Sequence, residues 1–178
     1  MRAFIAVDLA PELRTKVVAL QKELAKSDSG FKMVEKDNLH LTIQFLGDIS
    51  EDKADEAIES LRGIALPLFT LNFSGVGVFP NEKFVRVVWI ACESAELSEL
   101  AAQVNKKMSR LGLKPDKPFV AHLTIARASR KVEAKAFLEK NSGFILGEQK
   151  VENFILKKSE LTPNGPVYQD VKEFKLSS

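Results

Sequence analysis

A chain of 178 residues, 45% hydrophobic and 28% charged, is long enough to bury roughly 70% of its unfolded surface, as one large domain or two small lobes. Its formal net charge of +2 excludes a protein that holds nucleic acid by bulk charge, so any such affinity has to come from a local patch. The single Cys92 excludes an internal disulfide framework and fits a reducing cytoplasm, and no apolar run approaches the roughly 18 residues of a membrane helix, which leaves no membrane partner.

The apolar run Ala3–Val7 meets Asp8 at once and reads as a first strand, about Phe4 to Leu9, instead of a signal peptide. Pro11 opens a helix in which Leu13, Val17, Leu20 and Leu24 recur at helical spacing until Ser27-Asp28-Ser29-Gly30 breaks it. Leu39 to Leu46 alternates and ends at Gly47-Asp48, the pattern of a strand. Ser50 is placed to cap a second helix, with Glu51 and Asp52 complementing its dipole and Ala54, Ile58 and Leu61 inward. Phe69, Leu71 and Phe73 alternate, and Val85 to Ala91 forms a continuous apolar strand containing Trp89. Ser94 caps a third helix whose stripe runs Leu97, Leu100, Ala101, Val104, Met108, Leu111 before Gly112 closes it. After Lys114-Pro115-Asp116-Lys117-Pro118 come a strand from Phe119 to about Ala126 and a short helix from about Val132 to Lys140. Strands near Phe144–Leu146, Val151–Leu161 and Val167–Leu176 complete the chain.

The order strand-helix-strand-helix-strand, approximately repeated, predicts an α+β fold. Two pseudo-symmetric lobes, each with an antiparallel-rich sheet and outer helices, pack about a pseudo-two-fold axis. No Pro-, Gly- or Ser-rich linker divides them. Residues 1–178 are therefore expected to form one compact bilobal domain with a central groove and, the symmetry being internal, to act as a monomer.

His-Leu-Thr-Ile occurs twice, at His40–Ile43 and His122–Ile125, nearly half the chain apart, and these are the only two histidines. Imidazole, with an unperturbed pKa near 6.5, can be neutral in one copy and protonated in the other, so two facing one cleft supply a general base and a general acid. Strand alternation points His40, Thr42 and Gln44 one way and Leu41, Ile43 and Phe45 the other, with His122 and Thr124 sharing a face in the second copy. Two hydroxyls and two imidazoles lining a groove suit a tetrahedral oxyanion. A metal site is the weaker reading, since two histidines without a cysteine or carboxylate at ligand spacing make an incomplete shell.

His-Leu-Thr-Ile-Gln-Phe-Leu-Gly from His40 and Ala-His-Leu-Thr-Ile-Ala-Arg from Ala121 resemble the paired motifs of the two-histidine phosphoesterases, in particular the branch of RNA 2′,3′-cyclic phosphodiesterases, also called 2′-5′ RNA ligases. The resemblance extends through Arg2–Asp8, Gly75–Pro80, Val87-Val88-Trp89, Ser159-Glu160-Leu161 and Gly165–Tyr168, which is nearly the whole chain. It implies opening of a 2′,3′-cyclic phosphate at an RNA end to a 2′-phosphate, with no metal or nucleotide cofactor. It also implies an ATP-independent reverse sense, in which a 5′-hydroxyl attacks the cyclic end to give a 2′-5′ linkage. RNA with a cyclic phosphate end, such as a tRNA fragment, is the partner it suggests. By resemblance His122 is the base and His40 the acid, while Thr42 and Thr124 hold the phosphate.

Arg127 matches an arginine of that family, but simple alternation puts it opposite His122, so it reaches phosphate only if the strand twists, bulges or ends there. In the first half Gly47 stands at the comparable region, and Phe45 and Leu46 are expected to pack the core. Tyr168 is read either as a stacking surface for a base or as a packing residue of the last hairpin. Lys114 and Lys117 are candidates for the RNA backbone or simply solvated, Trp89 is expected in the core, and Cys92 is expected to be inert. Two rivals stay open: a phosphodiesterase for a small cyclic phosphate such as ADP-ribose 1″,2″-cyclic phosphate, and an RNA-end binding module without turnover.

Overall fold

The computed structural model of the chain describes residues 1–177. The strands are β1 (Arg2–Asp8), β2 (Phe31–Met33), β3 (His40–Asp48), β4 (Phe69–Asn81), β5 (Phe84–Glu93), β6 (His122–Ala128), β7 (Ile145–Val151), β8 (Asn153–Thr162) and β9 (Gly165–Lys175). The helices are α1 (Pro11–Ser27), α2 (Glu51–Leu61), α3 (Ala95–Arg110) and α4 (Lys135–Lys140), and a 3₁₀ turn at Lys36–Asn38 leads into β3. The expected helix starts hold because their caps are real: the Ser50 and Ser94 hydroxyls accept from the Lys53 and Leu97 amides at 3.1 and 3.2 Å. Gly112, with φ of +80°, ends the turn after α3 where a side chain would be strained. Strand β6 starts at His122, later than the expected Phe119, and β2, too short to show a periodicity, was not foreseen.

Two antiparallel sheets form the molecule, ordered β3-β1-β8-β9 and β2-β6-β5-β4-β7. Superimposing the orders pairs β3 with β6, β1 with β5, β8 with β4 and β9 with β7, leaving β2 as an addition. Each sheet draws strands from both halves of the chain. The strand that closes each repeat crosses over: β4 enters the sheet of β5 and β6, and β8 enters that of β1 and β3. Helices cross in the same way, with α1 on β6 and β7 while α3 packs on β3 beside α2.

The burial that drives this is apolar and continuous. Leu13, Val17, Leu20 and Leu24 of α1, and Leu97, Leu100, Val104 and Met108 of α3, all lie within one core cluster with Leu41, Ile43, Leu123 and Ile125. Each such side chain contributes about 1.5–3 kcal/mol on burial. The motif strands are thus pinned by their aliphatic faces, and their polar faces are left toward the space between the sheets.

Candidate active site

The two motif strands carry the same irregularity. On β3, Ala6 of β1 pairs with Thr42 and Ile5 with Gln44, so Ile43 has no partner; on β6, Trp89 of β5 pairs with Thr124 and Val88 with Ala126, so Ile125 has none. An extra residue in one strand turns the alternation over. Both motifs therefore follow one burial sequence, with histidine and threonine partly open, the next two residues buried and the fifth after histidine exposed.

That shared bulge decides the placement of several side chains. It brings Arg127 round to the groove wall with His122 and Thr124, against simple alternation. Phe45, five residues after His40, takes the matching place in the other half; it is 57% exposed in the groove, not in the core as expected, and it replaces Gly47 as the counterpart of Arg127. Gln44 is turned inward instead of sharing a face with His40, and its amide donates to the Leu113 carbonyl at 2.8 Å. Leu46 is buried as foreseen.

The groove has a volume of about 200 Å³, and His40, Thr42, His122, Thr124, Arg127 and Tyr168 all line it. Nδ1–H of His40 donates to the carbonyl of Asn38 at 2.6 Å, and Nδ1–H of His122 to the carbonyl of Val120 at 2.7 Å. A carbonyl can only accept, so both rings carry their proton on Nδ1 and present Nε2 as the reactive atom. Nε2 of His40 lies 3.0 Å from the Thr42 hydroxyl, which donates to it while the ring is neutral. Burial pulls both imidazoles below their ordinary pKa, with the Arg127 charge adding to the effect. The Asn38 and Val120 carbonyls oppose this in each case, and Asp8 opposes it for His40 alone.

Aromatic rings hold the imidazoles. Tyr168 meets His40 edge-on with centroids 5.3 Å apart, and Phe4 lies 5.1 Å from the same ring. Phe79 meets His122 edge-on at 5.1 Å and is itself backed by Trp89 at 5.1 Å. Tyr168 is thus both a packing residue and part of the groove wall, while Trp89 is half-buried over Gly77 and supports His122 at one remove. Phe79 gave no periodic signal, because only the long-range pairing of β4 with β5 brings it near the motif.

Lys32, at the groove mouth from β2, was also not foreseen, whereas Lys114 and Lys117 lie outside the groove wall. Burial pushes the Cys92 thiol up to about 12, so it is inert as expected. Among the described residues no cluster of three His, Cys, Asp or Glu side chains is placed to hold a metal ion, and no helix is long and apolar enough to cross a membrane.

The model of the LigT like phosphoesterases matches the chain twice, over residues 7–89 and 90–168. This chain belongs to that family. The two matches meet inside β5, so each takes in one bulged motif strand. Relatives within the LigT-like family include proteins named RNA 2′,3′-cyclic phosphodiesterase. One from Archaeoglobus fulgidus is 44% identical over 98% of this chain and 99% of its own length. Another from Methanocaldococcus jannaschii is 34% identical over 98% of this chain and 100% of its own. Among solved structures, the TT0787 protein of Thermus thermophilus is 31% identical with a TM-score of 0.85, covering 99% of this chain and 98% of that one. Escherichia coli LigT complexed with 3′-AMP is 29% identical with a TM-score of 0.84, at the same coverage.

Proposed function

We propose that this LigT-like phosphoesterase is an RNA 2′,3′-cyclic phosphodiesterase that opens a terminal 2′,3′-cyclic phosphate to a 2′-phosphate through His40 and His122. The observation that carries this reading is the pair of matched imidazoles. Each is fixed by a backbone carbonyl two residues back and faces one groove lined also by Thr42, Thr124 and the single arginine Arg127. The names borne by its relatives and the 3′-AMP held by the E. coli protein support the RNA class of substrate.

His122, neutral at physiological pH, takes a proton from water as its oxygen attacks phosphorus. The bond from phosphorus to the 3′ oxygen breaks, and His40, having taken up a proton beside the bound phosphate, delivers it from Nε2 to that oxygen. Thr42, Thr124 and Arg127 donate to the non-bridging oxygens, where negative charge grows in the transition state. When a 5′-hydroxyl replaces water, the same proton transfers yield a 2′-5′ phosphodiester, with the strain of the cyclic phosphate supplying the driving force instead of ATP. Phe45, exposed across the groove from the arginine side, offers a face for the terminal base. The chain works as one bilobal monomer in the cytoplasm, on RNA fragments such as those of tRNA. The internal symmetry and the single cysteine support that setting.

The test is turnover, in chelator, of a short RNA ending in 2′,3′-cyclic phosphate, with the phosphate position of the product identified. A 2′-phosphate, lost in His40→Ala and in His122→Ala, is the expected result. RNA binding without turnover would favour an end-binding module, and turnover only of a small cyclic phosphate would move the substrate class.

A further inference from the structure

One charged cluster beside the groove takes no part in the chemistry above. Lys157 of β8 is only 7% exposed, and its ammonium reaches the Asp8 carboxylate at 3.1 Å and the Asp170 carboxylate at 2.6 Å. Strand β1 lies between β8 and β3, and Asp8, its last residue, stands directly across from His40. The place across from His122 is occupied by Ala91. The duplication has left one imidazole facing a tethered carboxylate and the other facing a methyl group.

We propose that Asp8, held by Lys157 and Asp170, is a positioning residue that makes His40 the proton donor and leaves His122 the base. The proposal rests on the two-histidine reading and assigns the roles within it. A carboxylate near an imidazole favours its protonated form, but a free one at a strand end would turn to solvent and be screened. Here the side chain is tied to a buried ammonium. The backbone of Asp8 is tied as well: the amide of Gln149 donates to its carbonyl at 2.9 Å, while the Gln149 oxygen accepts from Ala10 at 2.8 Å.

The charged surroundings differ accordingly. On His40, Asp8 from β1 favours protonation, more strongly than either Lys157 from β8 or Arg127 from β6 opposes it. From β9, Asp170 is engaged with Lys157, and Tyr168 meets His40 through its ring. On His122 the one charged group that registers is Arg127, which opposes protonation. Between the two rings, only His40 has a fixed negative neighbour to help it hold a proton for the leaving oxygen.

Because the chain has only two histidines, its imidazole Cε1–H signals number two by NMR, and His40→Ala and His122→Ala assign them. Each signal is followed against pH in the unmodified protein and in Asp8→Asn and Ala91→Asp. Asp8→Asn should lower the His40 midpoint and leave His122 in place. Ala91→Asp should raise the His122 midpoint alone. A midpoint that falls at one imidazole when its carboxylate is removed, and rises at the other when one is supplied, is not what a loosened strand produces. On cyclic-ended RNA, Asp8→Asn should move the basic limb of kcat/KM to lower pH, cutting turnover above neutrality roughly threefold to tenfold. A His40 midpoint that stays put or rises in Asp8→Asn overturns the proposal. Failure of the unmodified protein to turn over cyclic-ended RNA would sink the two-histidine reading instead, and the midpoints would still decide what Asp8 does.

Discussion

His40 and His122 share a strand position, a carbonyl two residues back that fixes the tautomer, and a bulge at the isoleucine three residues on. Their neighbours differ. Phe4, Tyr168 and Asp8 surround the first, while Phe79 and Ala91 stand by the second. Beyond the bulge, one strand presents Phe45 and the other Arg127. What is common to the halves is what acid–base chemistry needs from any imidazole. What differs is what a single asymmetric substrate needs, a cation for phosphate on one side and an apolar face on the other. Symmetry in this groove belongs to the proton transfers, and its loss belongs to substrate orientation.

The largest effects should come from the common part. His40→Ala and His122→Ala should each lower kcat on cyclic-ended RNA by about 10²–10⁴-fold, the usual contribution of one positioned acid or base. The double variant should be scarcely worse than the worse single one, since the two groups act on one transition state. If either half could be lost for less than tenfold, the equivalence of the two imidazoles would be broken.

Smaller effects should come from the parts that differ. Arg127→Phe, which gives both halves the same residue, removes a hydrogen bond to charge of about 1.5–3 kcal/mol and should cost about 10–100-fold in kcat/KM. Phe45→Ala should act mainly on KM, by about 5–100-fold for the loss of about 1–3 kcal/mol of stacking, with kcat little changed. Equal losses in KM and kcat from both substitutions would deny the division between phosphate side and base side.

The bulges themselves can be tested through Gln21. This buried residue of α1 donates at 2.8 Å to the carbonyl of Ile125, the residue β6 leaves unpaired, and at 2.9 Å to that of Val34. Gln21→Met keeps the volume but leaves the Val34 carbonyl without its donor, while the Ile125 carbonyl keeps only the Val34 amide at 2.9 Å, so unfolding in urea should show a loss of about 1–3 kcal/mol. Activity should fall too, because the bulge aims Arg127.

Much of this architecture was legible in the chain, and for definite reasons. Ser50 and Ser94 announce two helices because a hydroxyl at the N-cap has a local job, and the stripe of α3 follows from its own periodicity. The catalytic pair was legible because repetition of His-Leu-Thr-Ile is itself a signal. Phe45, Gln44 and Arg127 were misplaced or left open because alternation assumes one residue per partner, and a bulge is a property of the pair of strands. The exchange of β4 and β8 between sheets is a long-range pairing that no local pattern records, and with it went Phe79, Lys157 and the contrast between Asp8 and Ala91.

The smallest effect concerns stability, and its sign follows from burial. Both imidazoles sit below their ordinary pKa in the folded chain, so between that depressed value and the unfolded value near 6.5 the unfolded chain binds more protons. Stability must then rise with pH across that window and level off above it, where both forms are neutral. Carboxylates held low by hydrogen bonds push in the same direction at lower pH: Glu23 by Lys140, Asp28 by the Gly30 amide, and Glu96 by its own amide. The imidazole part is isolated by comparing urea midpoints at pH 7.5 and 5.5 for the unmodified protein and for His40→Gln with His122→Gln. The unmodified protein should lose more on acidification than the double variant. Asp8→Asn should deepen that loss, because it removes a charge that partly offsets the burial of His40, and an unchanged loss would mean that Asp8 leaves the His40 proton alone.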